Sequence, residues 1–156
     1  MDTQGLSKKR GITLIELTIA LAVASVFGAA VFISLRGIDR IALQRASYAL
    51  QADFRYSQRM AMIEGRRWGI LFDVVGNQYH VISTGPTKIE KTVPLPDGVV
   101  LIETSAPIML YLPRGTASAG FRVTLARGAY WQRLTATVSG GRIRIYDMIR
   151  VGQAFP

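Results

Sequence analysis

The sequence predicts an α+β protein in which one long N-terminal helix is packed on an antiparallel β-sheet head. Three observations carry this. Residues 12–35 form an apolar run broken by a single charge, Glu16. Apolar residues at three-and-four spacing then continue to about Glu64. Beyond Gly65 the texture changes to short alternating runs separated by turn residues. A length of 156 residues suits one globular domain plus whatever the apolar N-terminus adds.

The helix comes first in the chain. Residues 12–35 would span roughly 36 Å at about 1.5 Å per residue, enough for a hydrocarbon core of about 30 Å. After Leu35, the residues Leu43, Ala46, Leu50, Phe54, Ser57 and Ala61 form a mostly apolar stripe. The charges Arg45, Asp53, Arg55 and Arg59 are read as lying off it. Gly37 is a candidate bend and Gly65 a stop. The first half of this helix is apolar all round, and the second half is amphipathic, with one face to dock on a head.

Seven strands are expected after it. "WGILFD" and "QYHVIS" flank "VVGN" as a hairpin, and "VVLIET" follows the "PDG" turn. "IMLYL" precedes the loop "PRGTASAG", and "FRVTL", "RLTATV" and "RIRIY" complete the set. The tail "DMIRVGQAFP" is left unassigned. Neither an internal repeat nor a low-complexity linker divides the helix from the strands.

Composition excludes several classes of function. With no cysteine, a disulfide framework or thiolate metal site is impossible. The single histidine, His80, alternates with Tyr79 and Val81 in a strand and reads as structural or surface. The acids of the head (Asp73, Glu90, Asp97, Glu103, Asp147) are scattered without metal-ligand spacing, so no catalytic set, metal or cofactor is expected. The net charge of +9 comes from 15 Arg and four Lys against 10 acids. Residues 112–156 hold seven Arg and one acid, Asp147, a balance that attracts polyanions such as nucleic acid or anionic lipid.

The apolar N-terminus admits three readings. A cleaved secretory signal would use "AVA" at 22–24, but "SVFGAAVFISL" follows where a polar cleavage region belongs. A plain membrane anchor explains the length but not Glu16, since an acid in the apolar phase costs at least a few kcal/mol without a partner. The third reading begins at "KKRG" followed by "ITLIEL", which resembles the prepilin peptidase site of the type IV pilin superfamily. That resemblance implies cleavage after Gly11 by a prepilin peptidase and methylation of the new N-terminal residue, Ile12. The family's usual first residue is phenylalanine, so Ile12 is a departure. Glu16 stands at the family's glutamate position, where it would pair with the new α-amine of a neighbouring subunit and fix one axial register.

The head is similar to the GspH/FimT group of minor pilins and pseudopilins. The similarity rests on "SQRMAMIEGRRWGILF", "YLPRGTASAGFRVTL" and "LTATVSGGRIRIY". It implies a pilin-like fold divided into a leader (1–11), a transmembrane and assembly half of the helix (12–36), its amphipathic half (37–64) and a β-rich head (65–156). It also implies a single pass through the bacterial inner membrane. Lys8, Lys9 and Arg10 favour a cytoplasmic N-terminus, while Arg36 and Arg40 flank the other end, so orientation rests on the resemblance. Expected partners are other pilins or pseudopilins of the filament, the membrane and double-stranded DNA, with no small-molecule substrate.

The DNA expectation comes from the closing hairpin. Period two puts Arg142 and Arg144 on one strand face, and Arg133 and Arg122 alternate similarly on the two preceding strands. No Lys occurs after Lys91, and the planar fork of arginine matches phosphate bidentately. "GRIR" at 141–144 resembles the GRxR element of DNA-binding FimT-like proteins, which implies phosphate contacts by Arg142 and Arg144. Arg122, Arg127 and Arg133 are secondary candidates, followed by Lys88 and Lys91. The rival expectation is a purely structural pseudopilin of a type II secretion system.

Overall fold

A computed structural model describes residues 14–153, side chains at 28–37 excepted. The chain divides after Gly37 into two units. The first holds the N-terminal part of helix α1 (Leu14–Glu64), and the second holds the rest of that helix and every strand.

In the first unit the apolar side chains of residues 14–27 are exposed, with Leu14, Ile15, Val26 and Phe27 each more than two-thirds accessible. Its hydroxyls are turned back onto the helix: Thr18 Oγ1 donates to the Ile15 carbonyl at 2.9 Å and Ser25 Oγ to that of Ala22 at 2.8 Å. Bonded this way, they present little polarity to an apolar surrounding. The expected membrane half, 12–36, falls partly outside the described residues. Among the described residues no helix is long and apolar enough to cross a membrane, and residues 14–27 are fewer than the roughly 20 a crossing needs.

In the second unit the stripe of α1 is the buried face. Leu43, Leu50, Phe54, Ser57 and Ala61 are fully buried and Ala46 nearly so. Asp53 corrects the sequence reading: it lies three residues after Leu50 on the same stripe and is itself buried. The helix stops at Glu64 because Gly65 takes a left-handed φ of 65°, the usual glycine termination.

Nine strands follow among the described residues: β1 (Trp68–Asp73), β2 (Gln78–Ser83), β3 (Lys88–Pro94), β4 (Val100–Thr104), β5 (Ile108–Tyr111), β6 (Phe121–Arg127), β7 (Tyr130–Ala136), β8 (Ile143–Ile145) and β9 (Ile149–Arg150). The seven expected strands are all present, and β3 and β9 are additional. They form two antiparallel sheets rather than one, ordered β3-β2-β1-β5 and β4-β6-β7-β8, with β9 also on β7. The split arises because β5 pairs with β1, matching Trp68 to Tyr111, while β4 pairs with β6. The helix and both sheets meet at three aromatic rings. Phe72 of β1 stacks on Phe121 of β6 at 5.2 Å between centroids, and Phe54 of α1 lies 6.2 and 6.1 Å from them. Such pairs add about 0.5–1.5 kcal/mol each beyond the area they bury.

Candidate functional site

The register of the second sheet sets out its arginines. Arg122 on β6 pairs with Thr135 on β7, which pairs with Arg144 on β8. These three residues therefore form a row on one face of three adjacent strands. With strands about 4.8 Å apart, the two arginine backbones lie about 10 Å apart. Both arginines are exposed. A hollow of about 310 Å³ opens beside Arg122, lined by Ser105, Gly120, Phe121 and Thr135 among others.

Arg144 and Arg142 are positioned by their neighbours. The Arg144 guanidinium lies 5.3 Å from the centre of the Tyr146 ring, two residues on and on the same face. A cation held over a ring keeps its charge and its outward donors. Arg142 precedes β8 at the end of a tight turn, where its carbonyl accepts from Thr137 N at 3.2 Å and Gly141 N donates to the Thr137 carbonyl at 3.0 Å. Gly141 has φ 58°, and a Cβ there would stand 2.6 Å from the Gly115 carbonyl oxygen and 2.8 Å from the Tyr111 ring. The glycine of "GRIR" is thus required by close approach as well as by backbone angle. Among the described residues neither Arg142, Arg144 nor Arg122 has a carboxylate partner.

Arg133 and Arg127 are differently engaged. Arg133 lies in the next row, opposite Thr124, whose hydroxyl accepts from its Nε at 3.4 Å, and its Nη2 is 3.8 Å from Glu103. Arg127 ties the fold together: its Nε donates to Asp39 on α1 at 2.8 Å and its Nη1 to the Asp97 carbonyl at 2.6 Å. Its guanidinium is therefore held within the fold and not in the row of Arg122 and Arg144.

The cations of the first sheet are also paired. Lys88 meets Glu90 at 2.9 Å, and the Arg66 guanidinium is bonded to Glu64, within 3.9 Å of Glu90 and over the Trp68 ring. Lys91 donates to buried Asp53 at 2.9 Å, and the Tyr79 hydroxyl donates to the same carboxylate at 2.7 Å. Burial, then that carboxylate, pushes the Tyr79 phenol well above its ordinary pKa. Three acids are pulled down: Glu64 chiefly by Arg66, Asp73 chiefly by the Gly76 amide, and Glu90 chiefly by Lys88. His80 shares a hydrogen bond with Thr92 at 2.9 Å across to β3. Among the described residues no cluster of His, Asp or Glu could hold a metal ion.

Gly11 and Ile12 lie outside the described residues. Glu16 is in the first described turn of α1, where an acid complements the positive end of the helix. The Asp53–Tyr79–Lys91 cluster was missed in the sequence although three-residue spacing from Leu50 carried a signal for Asp53. Nothing local foretold Tyr79 or Lys91 as its partners.

A basic N-terminus, a long helix and antiparallel sheets packed on its second half define a type IV pilin-like subunit. The chain belongs to the family of the Type II transport protein GspH, whose model matches residues 46–142. The model of the prokaryotic N-terminal methylation motif matches residues 6–32, which include Gly11, Ile12 and Glu16. The chain is 27% identical over 142 residues to the competence protein ComGD of Bacillus subtilis (strain 168), covering 90% of this chain and 95% of that protein. Its fold is similar to the minor pseudopilin EpsH from the type 2 secretion system of Vibrio cholerae, with a TM-score of 0.57 and 15% identity over 71% of this chain and 98% of that one. It is similar also to the type IV minor pilin FimU of Pseudomonas aeruginosa, at 0.58 and 15% over 69% and 90%. The chain is thus a pilin-like member of the GspH family that carries a prokaryotic N-terminal methylation motif. Its family implies assembly with other pilins, and its methylation motif implies processing by a prepilin peptidase.

Proposed function

We propose that this subunit holds double-stranded DNA by its phosphate backbone, on the outer face of the second sheet, as part of a filament that takes DNA up. The observation that carries the reading is the row Arg122–Thr135–Arg144, flanked by Arg142, in which no arginine is matched by a carboxylate among the described residues. Such contacts favour any duplex, read little sequence and weaken steeply with salt. The relative named as a competence protein supports the same reading. In assembly, cleavage after Gly11 frees the amine of Ile12 for methylation, and Glu16 of one subunit pairs with that amine on the next. Residues 12–36 anchor the subunit in the inner membrane before assembly, with the N-terminus inside and residues 65–156 outside.

A second reading is favoured by the likeness to EpsH: a structural pseudopilin of a type II secretion system, using the same face against another subunit. Fluorescence anisotropy of a labelled duplex with the full chain in detergent separates the two. Arg142→Ala with Arg144→Ala is expected to weaken binding on the order of 100-fold, since each charged hydrogen bond contributes about 1.5–3 kcal/mol. Absence of salt-sensitive binding by the unmutated chain would leave the structural reading standing.

A further inference from the structure

We propose that the DNA surface extends beyond the closing hairpin into a second arginine cleft, where Arg67 and Arg114 grip further phosphates of the same duplex. This rests on the DNA reading above. The cleft, of about 570 Å³, opens where the end of α1 meets the loop after β5, and Arg66, Arg67, Leu112, Pro113 and Arg114 line it. Arg66 is committed to Glu64, Glu90 and the Trp68 ring. Arg67 and Arg114 are exposed and have no carboxylate partner among the described residues. The negative end of α1 and the two nearby acids oppose an anion here. Those acids, however, are already matched by Arg66 and Lys88, so two arginine charges remain uncompensated.

Both arginines stand on fixed backbone. The Arg67 carbonyl accepts from the amide and the hydroxyl of Thr84, at 2.9 and 3.0 Å. The Arg114 turn is closed by Gly115 N donating to the Leu112 carbonyl at 2.8 Å and Leu112 N to the Thr116 carbonyl at 2.9 Å.

The Arg114 loop is also clasped to the turn that carries Arg142. The Gln58 amide of α1 donates to the Gly115 carbonyl at 2.6 Å and to that of Gly140 at 3.2 Å. The Tyr111 hydroxyl adds a bond to the Gly141 carbonyl at 3.0 Å. Arg114 and Arg142 are each one residue from this clasp, so the two loops that carry them are held side by side. Among the described residues that line the cleft no polar side chain is buried, so none is fixed there to select a small anion. A polymer backbone running past it fits better than a free phosphate does.

The test compares three forms of the full chain in detergent, all folded by circular dichroism: unmutated, Arg67→Ala with Arg114→Ala, and Arg142→Ala with Arg144→Ala. Affinity for a labelled duplex is followed between about 50 and 200 mM salt. The first pair of substitutions is expected to weaken binding about tenfold and to lower the slope of log affinity against log salt by about 2, roughly 0.9 per lost phosphate contact. An unchanged slope in that variant, with a reduced one in the hairpin variant, overturns the extension and leaves DNA binding with the hairpin alone. If the unmutated chain shows no salt-sensitive binding, the extension and the reading beneath it both fall.

Discussion

The two sheets handle positive charge in opposite ways. On the first, Lys88 and Lys91 are each bonded to an acid. On the second, Arg127 at the end of β6 is bonded to Asp39 and Arg133 lies 3.8 Å from Glu103, but Arg122, Arg142 and Arg144 are exposed with no carboxylate partner among the described residues. The number of cations therefore says less about an anion interface than the distribution of acids among them. Lys91, bonded to Asp53, ties β3 to the helix, and Lys88 is matched by Glu90 on its own strand. Arginines left unmatched on a rigid sheet have donors to offer a partner.

Substitutions can sharpen this contrast, beginning with the buried acid. Asp53→Ala removes the acceptor of a buried tyrosine hydroxyl and the anchor of Lys91, and is expected to cost about 2–3 kcal/mol in denaturant unfolding. The same variant should bind DNA as the unmutated chain does. Arg127→Ala comes next, at about 1 kcal/mol, since its partner Asp39 is partly exposed and the bond partly screened. If Arg127→Ala weakens DNA binding as much as Arg144→Ala while leaving stability unchanged, the two arginines have been assigned the wrong way round.

The smallest expected effect is on acid stability. Glu64, Asp73 and Glu90 titrate below their ordinary values of 4.5, 3.8 and 4.5 in the folded chain. The stability they contribute is present above those ordinary values and is lost as pH falls through the depressed ones. Unfolding midpoints followed from pH 6 downward should hold steady and then decline from about pH 4. At the alkaline end the raised pKa of Tyr79 has the opposite sign: its contribution is complete below about pH 10 and is lost above it.

The sequence made some of this legible and concealed the rest for physical reasons. The stripe of α1 and the limits of β1 and β2 could be read because periodicity is a local property of the chain. β3 was hidden because it is a largely exposed edge strand, rich in Lys and ending in Pro94, with little apolar alternation to mark it. β9, two residues long, gives no periodic signal. The division into two sheets depends on β5 choosing β1 as its partner, a contact between distant segments. Among the site residues, the shared face of Arg122 and Arg144 followed from alternation. The engagement of Arg127 depends on Asp39, 88 residues away, and that of Lys91 on Asp53, 38 away.

The most direct test of the contrast removes equal charge from the two sheets. Lys88→Ala with Lys91→Ala and Arg142→Ala with Arg144→Ala leave chains of the same net charge, and duplex affinity at low salt is measured for both. The account predicts near-normal binding for the lysine pair and a loss on the order of 100-fold for the arginine pair. Equal losses from the two pairs would contradict it, because bulk charge rather than the unmatched arginines of the second sheet would then be holding the DNA.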